Sequence, residues 1–577
     1  MKKVISALLL VSMIAAMFVV GVSAAEGTAI TTADEFAAMT GEGKYYLAND
    51  ITISASNENA LTTAFVFDGN GKKITTTVSL FTQAAGTIKN LTIEGEIDGN
   101  GCICNNPIGA LTIDNVVNNA SVTDSTKKNN VGGFVRAANV DITFKNCTNN
   151  GNITSNTTLG CGGFIATSDT DGVKVTFENC KNTGAISSQT QAAGFYAMPK
   201  NAVISFKNCV NEGTITGVSK TAEYNCAGGL VGKLQGTVDA MTAGNAGITI
   251  EKCSNSGSIS ATGRYAGGLV AWVDAGKLSI KDSSNSGEIY ATQRVGGMLG
   301  TAGKGSNYTA YEVTGCTNTG KIRGGERVGG IIGNIYGQGN LTSERVSAGT
   351  CQYAVITNCI NLGEIVSTKS ANVGQIIGQQ DSECLVMKYC IGAGKLSAEE
   401  EKTMRGVVCA SSGEIMIGGE RTLSDGTTKE ITKGCDIDSI YLIENDGTTW
   451  FSNYTDAEEA CDCALDAYMA MADKAGDIII VTADKLASGE VAYALNQAIG
   501  STVFYQTIGT DKVPTLDSSS KVVIKEGDKY VNDKAPVNPP VNPPVNPSTG
   551  DEVLVWVVAL IVSAIGACVV IRRKEEL

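Results

Sequence analysis

A seven-residue pattern, Cys147-Thr148-Asn149-Asn150-Gly151-Asn152-Ile153, returns along this chain and constrains its fold more than any other feature. It reappears as Cys180 to Ile186, Cys209 to Ile215, Cys253 to Ile259, Ser283 to Ile289, Cys316 to Ile322 and Cys359 to Ile365. A degraded copy runs from Cys390 to Leu396, and an early echo from Val116 to Val122. Part-way through each repeat comes a small-residue pair followed by apolar residues, as in Gly132-Gly133-Phe134-Val135, Gly228-Gly229-Leu230-Val231 and Gly329-Gly330-Ile331-Ile332. Self-similarity at a period of roughly thirty residues is the mark of a solenoid. One such turn cannot bury its own apolar face, so its neighbours must cover it.

Each repeat carries three short strand-like runs, for example Val173 to Phe177, Ala185 to Ser187 and Gly194 to Ala197. Stacked parallel, they predict an all-β fold, a single-stranded right-handed parallel β-helix with three short strands per coil. Asn118, Asn149, Asn182, Asn211, Asn255, Asn285, Asn318 and Asn361 then form a structural ladder at one turn, where side-chain amides bond along the axis. Roughly ten coils at about 4.8 Å each give a rod on the order of 50 Å long. The longer repeats hold insertions, around Gly217 to Cys226 with Thr237 to Ala246 and around Gly337 to Gly349, expected as surface loops.

The chain has 18 cysteines, but those at Cys147, Cys180, Cys209, Cys253, Cys316, Cys359 and Cys390 share one repeat position with Ser283 and Val116. A site that accepts serine and valine wants a small, largely apolar side chain, which predicts a buried column of free thiols. Stacked coils bring these residues within disulfide range, so cross-links stay open as an alternative. Histidine is absent, which removes the commonest general acid/base and metal ligand. With 44 Lys plus Arg against 58 Asp plus Glu, nothing reads as a nucleic-acid-binding stripe.

The ends predict export. Lys2 and Lys3 precede the apolar run Val4 to Val20 and the small residues of Val22-Ser23-Ala24, which together read as a secretory signal peptide over residues 1–25. Residues 26–110 read as an N-terminal cap and first coils, 111–397 as β-helix repeats, and 398–533 as a small α+β C-terminal capping region with helices at Thr455 to Lys474 and from Ser488. Six of the nine prolines fall between Pro536 and Pro547, so residues 534–545 form a semi-rigid spacer. Residues 546–577 close the sequence with the apolar run Val553 to Ile571, long enough for one transmembrane helix, and the basic Arg572-Arg573-Lys574.

Several of these stretches resemble known families. Asp68-Gly69-Asn70-Gly71, Leu80-Phe81 and Ile88-Lys89-Asn90-Leu91 resemble the opening coils of bacterial surface β-helix proteins. Gly229-Leu230-Val231-Gly232 and Gly330-Ile331-Ile332-Gly333 are similar to GLUG-type repeats of adhesin-like surface proteins and of some secreted immunoglobulin-cleaving metalloproteases. The latter use a zinc-binding HExxH helix, which a chain without histidine excludes. The segments Ser488 to Asn496 and Gln506 to Asp511 resemble the terminal segment that follows such surface arrays in Gram-positive and gut bacteria, implying a cover for the open solenoid end. Asn546-Pro547-Ser548-Thr549-Gly550, the apolar span and the basic tail together resemble a sortase sorting signal. That resemblance implies cleavage between Thr549 and Gly550, with sortase and peptidoglycan as partners and cell-wall anchoring at the Gram-positive surface. The plain alternative is a single-pass membrane anchor behind a proline linker.

Chemistry-bearing constellations are sparse. Glu288, Glu312, Glu326 and Glu364 are surface acids outside any paired motif, whereas glycosidases need two facing carboxylates. Arg294 and Arg327 align before Val-Gly-Gly, with Arg264 one position off, and read as a solvated basic patch flanked by glutamates. Asp169-Thr170-Asp171-Gly172 reads as a tight turn because the glutamate of an EF-hand is missing. Cys461-Asp462-Cys463 and Cys102-Ile103-Cys104 lack zinc spacing and read as structural. The expectation is a non-enzymatic adhesin or interaction module without cofactor or metal, binding a host glycan, mucin or protein through its insertion loops or a flat β face. A polysaccharide lyase or glycosidase and a passive stalk are the alternatives.

Overall fold

The computed structural model describes residues 26–533 apart from position 100 and segments 125–129, 156–159, 219–224, 304–308, 337–352, 369–372, 381–383, 399–418, 423–427, 432–435 and 445–477. The expected signal peptide, the helix expected at Thr455 to Lys474, Cys461 and Cys463, the proline-rich stretch, the expected sorting signal Asn546 to Gly550 and the apolar run Val553 to Ile571 lie outside the described residues. Among the described residues no helix is long and apolar enough to cross a membrane. The chain divides into two compact units, the first ending at Leu486 and the second starting at Ala487.

The first unit is a parallel β-helix. It begins with strand Thr28–Ile30, paired with Lys44–Leu47, and the helix Ala33–Ala37 between them. Thr32 caps that helix in a reciprocal box: its hydroxyl accepts from the Glu35 backbone N–H while the Glu35 carboxylate accepts from that of Thr32. The helix thereby presents Phe36 to the first coils, where its ring meets Phe67 and Phe81.

Each complete coil holds five short strands rather than three. In one coil they are Ile142–Lys145, Thr148–Asn149, Ile153–Ser155, Cys161–Gly162 and Ile165–Thr167. The first two join one long sheet, and the other three build a second, a third and a fourth sheet, each pairing in parallel with its equivalents in the neighbouring coils. The long sheet is split because a residue between its two strands turns left-handed, at Asn146, Asn179, Asn208, Lys252, Asp282, Gly315, Asn358 and Tyr389. Asparagine tolerates positive φ better than other residues with a Cβ, which explains its prevalence there. The small-residue pair makes the second break, between the third and fourth sheets.

The interior is filled by like stacked on like. Phe134, Phe164 and Phe195 stack face to face at 4.8 and 4.6 Å, while Phe144, Phe177 and Phe206 stack at 5.0 and 4.7 Å. The two columns meet edge to face, as Phe164 does with Phe177 at 84°. Beyond Leu396 the repeat fades from the sequence, yet the long sheet continues through Asp436–Asp438, Ile440–Ile443 and Ile478–Val481.

The second unit contains the helix Glu490–Ile499 and the antiparallel hairpin of Val523–Glu526 with Lys529–Asn532. Within it, the buried Asn496 amide bridges the turn after the helix, donating to the Phe504 carbonyl and accepting from the Val503 and Phe504 N–H groups.

Candidate functional site

The most regular polar features are internal. Asn118 Nδ2 donates to Asn149 Oδ1 at 2.8 Å, and the same bond repeats through Asn182, Asn211, Asn255, Asn285, Asn318 and Asn361 at 2.7–2.8 Å. Each amide also donates to the carbonyl two residues ahead, as Asn149 does to Gly151 at 3.0 Å. Asn361 hands the chain on to Gln375 Oε1 at 2.7 Å. The ladder asparagines are fully or almost fully buried, so their role is to hold the turn.

The thiol column beside it follows one rule. Cys147 Sγ donates to the Lys145 carbonyl and Cys180 Sγ to that of Glu178, each two residues back. Ser283 Oγ makes the same bond to Lys281 at 2.7 Å, which is why serine substitutes there. Cys102, Cys104, Cys161, Cys226 and the repeat-column cysteines from Cys147 to Cys390 are free and buried. Burial pushes the Cys104 and Cys226 thiols up to about 12. A second asparagine ladder escapes the repeat pattern: the left-handed residues bond along the outer surface, Asn179 Nδ2 to Asn146 Oδ1 at 3.3 Å and Asn208 Nδ2 to Asn179 Oδ1 at 3.0 Å. Its signal is the residue immediately before each repeat cysteine.

The surface acids are dispersed. Glu312 pairs with Lys281 at 3.1 Å and Glu364 with Lys321 at 2.9 Å, both half exposed. Glu288 stands at the column position of Lys321, one coil earlier. The Asp169 to Gly172 segment is a turn, with Gly172 at φ +76°, and no cluster of metal-ligating side chains occurs among the described residues.

Two outer features depart from this regularity. The first lies at the Thr237 to Ala246 insertion. Thr237 Oγ1 accepts from the Ala240 N–H and caps the helix Val238–Thr242. Beside it, a groove of about 470 Å³ runs over the outer face of the long sheet. Thr249, Ser279, Glu312 and Val355, register partners on successive coils, form its floor, and Gly244 and Lys277 stand at its side.

The second lies where the third and fourth sheets fold against each other. Tyr265 and Arg294 are register partners on adjacent coils, and the Val295 N–H donates to the Arg327 carbonyl on the next. Arg294 is only 7% exposed, contrary to the solvated face its sequence suggests. Its Nη1 donates to the Tyr265 hydroxyl at 2.8 Å, and its guanidinium lies 5.1 Å from the Tyr265 ring centre and 4.6 Å from that of Tyr336. The reason is close sheet approach: a Cβ on Gly333 would stand 2.7 Å from the Val295 carbonyl oxygen, so glycine there lets the fourth sheet cover the arginine. Burial lowers the Arg294 pKa, and the neighbouring Arg327 charge adds to the effect. Along the same corner Lys233 sits 3.7 Å over the buried Trp272 ring and pairs with Asp274 at 3.0 Å.

No family model matches the chain, and no curated protein matches it. Among solved structures, that of a provisionally assigned immunoglobulin A1 protease from Bacteroides ovatus, at 1.30 Å resolution, aligns with 59% of this chain and 85% of its own. The identity is 16% and the TM-score 0.31, an agreement too low to bear on activity.

Proposed function

We propose that the chain is an extracellular surface protein whose β-helix presents a ligand-binding face, an adhesin or interaction module held to the cell wall after sortase cleavage between Thr549 and Gly550. The observation that carries the binding reading is the groove on the long sheet beside the Thr237 to Ala246 insertion. Most coils turn without elaboration; this one departs from the repeat and walls a surface long enough for an extended polymer. The groove's carboxylate, Glu312, is engaged by Lys281, an arrangement that suits binding rather than the paired acid/base work of a glycosidase. The anchor rests on the resemblance of Asn546 to Gly550 and the basic tail to a sorting signal.

The test is a binding screen of the exported chain against glycans, mucins and matrix proteins, alongside a Ser279→Trp variant that fills the groove floor. Binding by the parent and its loss in the variant support the reading; equal binding by both removes the groove from it. Thr549→Ala should move the protein from the wall fraction to the membrane fraction.

A further inference from the structure

We propose that the corner between the third and fourth sheets is a binding site for a carboxylate-bearing saccharide, held by the guanidinium groups of Arg294 and Arg327. The inference rests on the reading of the β-helix as a ligand-binding module, and it places a second contact away from the groove floor.

Three cations stand here on consecutive coils. Arg264 and Arg294 are joined through the backbone, Arg294 N–H to the Arg264 carbonyl at 2.7 Å, and Arg327 follows on the next coil. The Tyr265 hydroxyl lies between the first two side chains, accepting from Arg294 Nη1 and close to Arg264. Adjacent coils are about 4.8 Å apart, so the Arg294 and Arg327 charges repel unless an anion stands between them. Among the described residues no carboxylate pairs with Arg294 or Arg327, whereas Lys233 at the other end of the corner has Asp274. Enclosed donors are left over as well: Arg294 Nε and Arg327 Nη1 have no hydrogen-bond partner. A charged donor shut away from water and unmatched is costly, and an oxyanion accepting from both guanidiniums relieves it.

The remaining groups narrow the anion to a sugar acid. Tyr336 packs over the Arg294 guanidinium and is only partly buried, offering a ring edge to a ligand from solvent. Asn334, two residues back on the same strand face, keeps an unmatched acceptor at Oδ1 while its Nδ2 donates to Thr301 Oγ1 at 3.3 Å. Unmatched cationic donors beside an unmatched neutral acceptor and an aromatic ring suit a ligand with both a carboxylate and hydroxyl groups. Simple anions such as sulfate would satisfy the first and leave the others idle.

The test uses the full-length chain in mild detergent and calorimetric titration with 3′-sialyllactose and with an oligogalacturonate, which separate a sialic from a uronic acid source. Lactose and sodium sulfate serve as controls. Saturable binding of either acidic saccharide, absent for lactose and weakened at least tenfold by Arg327→Gln at an unchanged melting temperature, is the expected result. Arg327 is the primary variant because it is half-buried; Arg294→Lys, which keeps the charge but loses the planar fork, should weaken binding as well. Wild-type affinity in Arg327→Gln, or sulfate binding as tightly as the saccharides, overturns the proposal. If glycans or proteins bind at the groove while both acidic saccharides fail, this site alone is wrong; if no ligand binds the chain anywhere, the parent reading falls with it.

Discussion

At the residue scale the turns are held by side chains whose partners are fixed by stacking. Asn182 is the clearest case, since its amide donates to Asn211 Oδ1 and the Gly184 carbonyl while its own oxygen accepts from Asn149. Asn182→Ala leaves those buried groups unmatched and should cost roughly 2–4 kcal/mol in urea denaturation. A loss below half of the lower figure would show that the ladder tolerates gaps. The neighbouring thiol gives a sharper contrast. Cys180→Ser preserves the bond to the Glu178 carbonyl, as Ser283 does at the equivalent site, and should change stability by less than about 1 kcal/mol. Cys180→Val, the residue type found at the equivalent Val116, removes the donor and adds about a methyl group of bulk, so it should be the less stable of the two; the reverse order would show that the thiol's hydrogen bond contributes nothing. These positions are legible in the sequence because each recurs at a fixed offset from its neighbours.

At the element scale legibility stops where geometry depends on two segments approaching each other. The repeat places one strand where the long sheet has two, because the left-handed residue before each cysteine varies from Asn146 to Lys252 to Tyr389 and shares only its φ. Likewise the arginine column is visible, but its burial follows from glycines such as Gly333 on the following coil, which no local pattern around Arg294 reports. Two buried thiols outside the repeat column have a pH signature. Cys104 and Cys226, raised to about 12 by burial, stay neutral in the folded chain while an unfolded thiol ionises near ~8.5. Above that pH the unfolded state binds fewer protons than the folded one, so stability is full below it and declines as pH rises toward 12. Each such thiol contributes a slope of about 1.4 kcal/mol per pH unit inside the window. Under reducing conditions the urea midpoint should therefore be level up to pH 8 and fall between pH 9 and 10, and a profile flat across that interval would contradict buried neutral thiols.

At the scale of the whole molecule, the first unit's stability is a sum of coils and the interfaces between them, so the unit of tolerated change is one complete turn. Residues 150–182 are such a turn, because Asn149 and Asn182 are register partners. Excising them joins Asn149 to Thr183 and removes Phe164 and Phe177 together. Phe134 is then left to stack on Phe195, Phe144 on Phe206, and Cys147 to lie against Cys209, each meeting the residue type it lost. The shortened chain should still unfold cooperatively, with a smaller dependence on urea in proportion to the surface no longer buried. Removing residues 150–165 instead deletes half a turn and brings every later strand to the coil before it out of phase. Phe177 then has no aromatic column to join, and Asn182 meets no asparagine on its N-terminal side. That variant should lose the cooperative transition and its far-ultraviolet β signal. If the half-turn deletion folds as well as the whole-turn deletion, the columns are a consequence of the stack rather than what sets its register.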